Sequence, residues 1–183
     1  MGQRNQLSET ENVVDLLRST IRDVLDFPKK GIVFKDITPV LQDSRVFKAV
    51  IDAIIQECKD KSVTSVAGIE SRGFIFAAPV AKDLGLPLIL IRKKGKLPYK
   101  TVEASYDLEY GSATIEMHID SVKKGDRVLV VDDLLATGGT VEAACKLIEG
   151  QGGDIVECFF IVELGFLKGR EKIKAPISSL ITY

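Results

Sequence analysis

Apolar residues at Val14, Leu17, Ile21 and Val24 recur at helical intervals, behind a capping-box spacing at Ser8-Glu9-Thr10-Glu11. They predict a first helix that stops before Pro28. A second stripe, Phe47, Val50, Ile51, Ile54, Ile55 and Cys58, predicts another helix capped by Asp43 or Ser44. Val63 to Ala67 reads as a strand, Gly73 to Leu84 as a helix that contains Pro79, and Pro87 to Ile91 as a strand. Ile115, Met117 and Ile119 alternate as in a half-exposed strand. The unbroken run Val128 to Val131 suits a buried strand. Val141, Ala144, Cys145 and Ile148 then form a helix face ended by Gly152-Gly153, and Asp154 to Val162 supplies a further strand. Strands alternating with helices predict an α/β fold: a parallel sheet covered on both faces, with ligands beyond the strands' carboxyl ends.

Between Arg92 and Gly111 the periodicity fails, and a long irregular loop is expected, of the kind that usually serves function. Arg92, Lys93, Lys94, Lys96 and Lys100 make its start basic. Such a run is ordinarily a solvated face. Because it follows a strand whose carboxyl end should face the cleft, an anion-binding role is preferred.

Composition narrows the class. The 183 residues are 45% hydrophobic and 28% charged, which suits one globular domain with a real core. A net charge of −1 gives no whole-molecule argument for nucleic acid or an anionic membrane. Cys58, Cys145 and Cys158 are too few and too scattered for a disulfide framework or a zinc site. No apolar run suits a transmembrane helix, and the polar start Met1-Gly2-Gln3-Arg4-Asn5 does not read as a secretory signal. A cytoplasmic setting is expected.

The stretch "RVLVVDDLLATGGT", Arg127 to Thr140, carries the most chemical information. Ala136, Thr137, Gly138, Gly139 and Thr140 have so little side chain that backbone N–H groups can converge, next to the positive end of the following helix. That is a site for a terminal phosphate. Asp132 and Asp133 would repel the same phosphate, so they should meet adjacent hydroxyls such as those of a ribose. A 5-phosphorylated ribose is implied. The acids of a P-loop ATPase would need Gly-x-x-x-x-Gly-Lys-Ser/Thr, and a dinucleotide site would need Gly-x-Gly-x-x-Gly; the chain has neither. A solvated acid pair in a structural turn is the plain alternative.

"VLVVDDLLATGGT" resembles the 5-phosphoribosyl-1-pyrophosphate (PRPP) motif of the type I phosphoribosyltransferases. "FPKKGIVFKDITP" (27–39), "ESRGF" (70–74), "RKKGKLP" (92–98), "ASYDLEYG" (104–111) and "VELGFLKGREKI" (162–173) are similar to segments of the adenine-specific branch, in the same order. The resemblance implies a single phosphoribosyltransferase domain over 1–183. A helix and base-binding hood segment would occupy 1–39, a flexible catalytic loop 92–111, and the PRPP-binding strand, loop and helix 127–150. It implies conversion of adenine and PRPP to AMP and pyrophosphate. It also implies Mg²⁺ carried by PRPP rather than by protein side chains, and a homodimer with no nucleic-acid or membrane partner.

Residue by residue, the resemblance implies pyrophosphate binding at Glu70, Ser71, Arg72 and Gly73, with a cis peptide near Glu70–Ser71. Arg92, Lys93 and Lys96 would join them. Arg72 also counts as catalytic because its planar fork can take two phosphate oxygens of the leaving group; a surface salt bridge is its other reading. Val33, Phe34 and Lys35 would form the adenine pocket, Phe34 by stacking and Lys35 through its main chain. Core packing is the alternative for Phe34. Glu109 would handle the proton on the base's imidazole ring and Tyr110 would cover the substrate under a closing hood. A plain solvated carboxylate is the alternative for Glu109. His118, the only histidine, receives no role. Two further functions stay open: a 6-oxopurine (hypoxanthine, guanine or xanthine) phosphoribosyltransferase, and a non-catalytic PRPP-sensing regulator.

Overall fold

The computed structural model describes residues 12–107 and 111–183. The chain divides into two units, Met1–Val50 and Ile51–Tyr183. In the first, α1 covers Val13–Thr20, and Asn12 caps it by accepting the Val14 N–H through its side chain at 3.1 Å. The capping box expected at Ser8 to Glu11 lies outside the described residues. The helix is shorter than its apolar spacing suggested, because Val24 belongs to β1 (Arg22–Leu25), which pairs antiparallel with β2 (Val33–Asp36). Cross-strand ion pairs, Arg22–Asp36 at 2.5 Å and Lys35–Asp23 at 2.7 Å, support that hairpin and turn the second half of the stripe into strand. A short α2 (Thr38–Gln42) follows, then α3 (Ser44–Cys58), whose residues from Ile51 on belong to the second unit. Asp43 caps α3 through Oδ1, which accepts from Arg45 N at 2.9 Å, as the sequence suggested.

The second unit is built on a seven-stranded sheet in the order β5-β6-β4-β3-β7-β8-β9. Its members are β3 (Ser65–Ile69), β4 (Leu88–Lys93), β5 (Thr101–Asp107), β6 (Ser112–His118), β7 (Arg127–Leu135), β8 (Asp154–Glu163) and β9 (Ile177–Thr182). Two helices join parallel neighbours: α4 (Gly73–Leu84) links β3 to β4, and α5 (Gly139–Gly150) links β7 to β8. The sheet is mixed rather than parallel throughout, since β6 runs antiparallel to β4 and β5 antiparallel to β6. Within the irregular loop expected over 92–111, Arg92 and Lys93 end β4 and Thr101 to Asp107 form a strand. Val102, Ala104 and Tyr106 pack on the core while Glu103, Ser105 and Asp107 face out, a period of two that the basic stretch before it obscured.

The same alternation sorts the central strands. Ala67, Ile69, Ile89, Ile91, Val128 and Val130 join Val141, Ala144, Leu147 and Ile148 of α5 in one buried cluster. The opposite face of β3 meets α4, and the approach is close. A Cβ on Gly68 would lie 2.8 Å from Ala77 Cβ and 3.1 Å from Phe74 Cδ1.

Chain connections place the functional crevice. From β3 the chain crosses to β4 on one side, while β7, on the other side of β3, crosses away to β8. The carboxyl ends of β3 and β7 thus flank a topological switch point, where α/β sheets open. The register widens the opening. Pairing of β3 with β7 ends at Gly68↔Val131, whereas β7 continues beside β8 to Leu135↔Glu163. Asp132 is the first residue of β7 to lose that neighbour.

Gly68→Ala should destabilise the protein by about 2 kcal/mol through overpacking against α4. Urea unfolding checks this, and Ala77→Gly in the same chain should restore part of the loss.

Candidate active site

Asp132 and Asp133 stand at this opening. Asp133 is 6% exposed and its Oδ2 lies 2.7 Å from Arg72 Nε. Burial and the neighbouring Asp133 charge hold the Asp132 carboxyl well above the usual carboxylate range. Burial also raises Asp133, against the pull of Arg72. Neither acid is comfortable as a bare anion here, so the pair favours partners that bring hydroxyl donors or positive charge.

Arg72 reaches Asp133 because of the turn between β3 and α4. The Glu70–Ser71 peptide is cis, as the resemblance implied. Gly73 then starts α4 hard against β7: a Cβ there would sit 2.8 Å from both Val131 O and Asp132 Oδ1. A cavity of about 340 Å³ lies over the turn, lined by Ile69, Glu70, Ser71, Arg72, Lys93, Tyr106, Asp132, Asp133, Leu134 and Thr140. Of the four basic residues expected at the pyrophosphate, Arg72 and Lys93 are part of that wall, and Arg92 and Lys96 are not. Arg92 donates instead to Glu70 Oε1 and to Lys96 O, both at 3.0 Å.

Glu70, expected at the pyrophosphate, lines the cavity and already accepts that Arg92 hydrogen bond. Its other oxygen accepts Lys93 N at 3.0 Å, and the Arg92 hydrogen bond keeps its pKa low. An occupied acceptor of this kind holds the basic segment in place. Glu116, which sequence reasoning missed, does the same from beneath. It is 3% exposed on β6 and accepts the N–H groups of Lys96 and Leu97 at 2.8 Å each. Burial opposes its charge, but the N–H groups of Leu97, Gly95 and Lys96 outweigh burial and lower its pKa. Only the neighbouring Ile115 and Met117 could have hinted that an acid between them was buried.

The small-residue loop forms a second, smaller cavity of about 80 Å³, lined by Asp132 and by Leu134 through Val141. All five residues expected at the 5-phosphate lie in its wall. Gly138 precedes α5 with φ +80°, a conformation that requires glycine. The first N–H groups of α5 have no intrahelical acceptor and are available to an anion. Tyr106 closes the side, with its ring 3.2 Å from where a Gly139 Cβ would be. Gly169 closes the back: a Cβ on it would be 2.1 Å from Ala136 O.

In the first unit, Val33 is 47% exposed and Phe34 packs edge-on to Phe27, with ring centroids 5.2 Å apart. The Lys35 ammonium is paired with Asp23. Glu109 and Tyr110 lie outside the described residues. Among the described residues no group of three or more His, Cys, Asp or Glu could cage a metal, and no helix is long and apolar enough to cross a membrane.

Comparison with known proteins agrees with this geometry. Residues 38–181 match the phosphoribosyl transferase domain. An adenine phosphoribosyltransferase of Anaeromyxobacter sp. is 53% identical over 171 residues, covering 93% of this chain and 97% of that protein. The solved adenine phosphoribosyltransferase of Thermoanaerobacter pseudethanolicus superposes with a TM-score of 0.90 at 46% identity, over 93% of this chain and 99% of that one. The Saccharomyces cerevisiae enzyme, solved with an imino-altritol bisphosphate and adenine, gives 0.89 at 35% identity over 92% and 98% of the two chains. The chain belongs to the phosphoribosyl transferase family and, within it, to the adenine phosphoribosyltransferases.

The Glu116 contacts have a pH signature. A carboxylate with a depressed folded pKa contributes stability above its ordinary value of 4.5 and loses it as pH falls through the folded value. Hydrogen-exchange protection of the Lys96 and Leu97 amides should therefore decline below that pH. In Glu116→Gln the decline should be absent.

Proposed function

We propose that this chain transfers the phosphoribosyl group of PRPP to adenine, giving AMP and pyrophosphate in purine salvage. The Arg72–Asp133 ion pair of 2.7 Å carries the reading. It ties a pyrophosphate ligand at the end of β3 to a ribose ligand at the end of β7 within one cavity, so C1 of the sugar would sit between them. Asp132 and Asp133 accept the ribose hydroxyls and favour positive charge developing on the ring. Ala136 through Thr140 take the 5-phosphate. Ser71, Arg72 and Lys93 face the departing pyrophosphate, with Glu70 and Glu116 holding the segment that carries Arg92, Lys93 and Lys96.

The acid pair also fits Mg²⁺ arriving with PRPP, since added positive charge relieves two buried carboxyls. When bound, the ion draws charge from the leaving pyrophosphate. Val33, Phe34 and Lys35 are assigned to the base. Phe34 stacks on it, while main-chain groups match an amino donor beside a ring acceptor, an order that 6-oxopurines reverse. The pairing of the Lys35 side chain with Asp23 supports a main-chain role for that residue. Glu109 serves the imidazole proton and Tyr110 covers the site. Leu88 and Leu90, both exposed on one face of β4, support a homodimer, and three buried free thiols suit a cytoplasmic setting. The relatives do not favour the 6-oxopurine or regulator alternatives.

A base-competition assay tests this directly. With PRPP and Mg²⁺ present, adenine should yield AMP and pyrophosphate, while hypoxanthine, guanine and xanthine should yield no nucleotide. IMP, GMP or XMP would overturn the base assignment, and PRPP binding without any product would favour a regulator. Asp133→Asn should raise the KM for PRPP by about tenfold or more with unfolding unchanged. Unaltered PRPP kinetics would remove the ribose role.

A further inference from the structure

The loop from Ala136 to Gly138 does not hold its shape alone. Its back is the main chain of Gly169, the first residue of a short 3-10 helix (Gly169–Lys172) between β8 and β9. The fit is mutual: a Cβ on Gly138 would lie 2.3 Å from Gly169 O, and one on Gly169 would lie 2.9 Å from Gly138 N. Any shift of Gly169 is thus passed to the loop as a steric displacement.

Local preference does not fix Gly169. Lys168, just before it, has φ +53°, a left-handed conformation that costs a side-chain-bearing residue about 1 kcal/mol. The next residue supplies the fixing. Arg170 Nε and Nη2 meet the two carboxylate oxygens of Glu163 at 3.0 and 2.6 Å, a bidentate fork. Its Nη1 donates to Ile177 O at 3.0 Å and its Nη2 also to Ser179 Oγ at 3.2 Å. Ser179 in turn donates to Glu163. Glu163 is buried at the end of β8, opposite Leu135, the residue immediately before the loop. One guanidinium therefore connects β8, β9 and the Gly169 turn at the root of the phosphate cavity.

We propose that Arg170, anchored by Glu163, is a positioning residue for the 5-phosphate loop and acts through the main chain of Gly169. The inference rests on the PRPP reading above. Arg170 has no contact with the ligand in this account. It sets the loop against which the phosphate is received, and misplacement of a binding group by about an ångström is enough to weaken it severely.

The experiment measures ribose 5-phosphate and magnesium pyrophosphate separately, by calorimetry on the full chain, for the unaltered protein, Arg170→Ala, Arg170→Lys and Gly169→Ala. A core variant, Ile54→Val, controls for general loss of stability. Arg170→Ala and Gly169→Ala should each weaken ribose 5-phosphate about tenfold or more and leave pyrophosphate within about twofold. Arg170→Lys, which keeps the charge without the fork, should recover part of the loss. Should Gly169→Ala not fold, the Arg170 pair carries the test. Equal weakening of both ligands in Arg170→Ala, or the same selective loss in Ile54→Val, would overturn the proposal, as would ribose 5-phosphate binding that Arg170→Ala leaves intact. If the unaltered protein binds pyrophosphate and no ribose 5-phosphate, the phosphate-loop reading fails first and takes this inference with it.

Discussion

The contact between Gly73 and the end of β7 is the constraint on which the site depends. With no Cβ to keep it away, α4 begins against Val131 O and Asp132 Oδ1. That approach brings Arg72, one residue earlier, to the Asp133 carboxylate. It also brings the ends of two separate βα connections into one cavity. A bulkier first residue on α4 would part the two strand ends and leave a buried acid without its cation, a costly arrangement.

Around this contact, the basic segment after β4 and the turn at Gly169 are held by acids. Glu70 secures Arg92 and Lys93, Glu116 secures Lys96 and Leu97, and Glu163 secures Arg170. Past the end of β4 the N–H groups of Lys96 and Leu97 must find partners elsewhere, and an ionised carboxylate is the strongest acceptor available. In each of the three the folded pKa is lowered, so at neutral pH each is a fixed negative charge. A basic surface is thus braced by carboxylates set behind it.

What the sequence disclosed follows from the range of the forces involved. The helix Gly73–Leu84 was legible to its bounds, and the Asp132 to Thr140 motif was legible because a run of small residues after two acids has no use in packing. The strand Thr101–Asp107 was missed, since Val102, Ala104 and Tyr106 alternate too briefly to stand out after a lysine-rich stretch. Strand β9 was not anticipated at all; its pairing with β8 is a tertiary fact that "ISSLIT" does not announce. Glu116 and Arg170 were invisible for the same reason. Each looks like an ordinary surface charge until the fold brings its partner to it. Arg92 was read as a ligand contact, yet its guanidinium is turned to Glu70, a pairing that no spacing encodes.

Strand β5 lies at one edge of the sheet, with its inward side against the core. An open edge offers unpaired N–H and C=O groups to any similar strand, and long apolar edges of that kind recruit one another into fibrous assemblies. Here Glu103 and Asp107 stand on the outward side of that edge, with Lys94 paired to Glu103 at 2.7 Å. The strand that lines the cavity through Tyr106 thus also carries charge beside the sheet's free edge, a device that discourages strand-to-strand association.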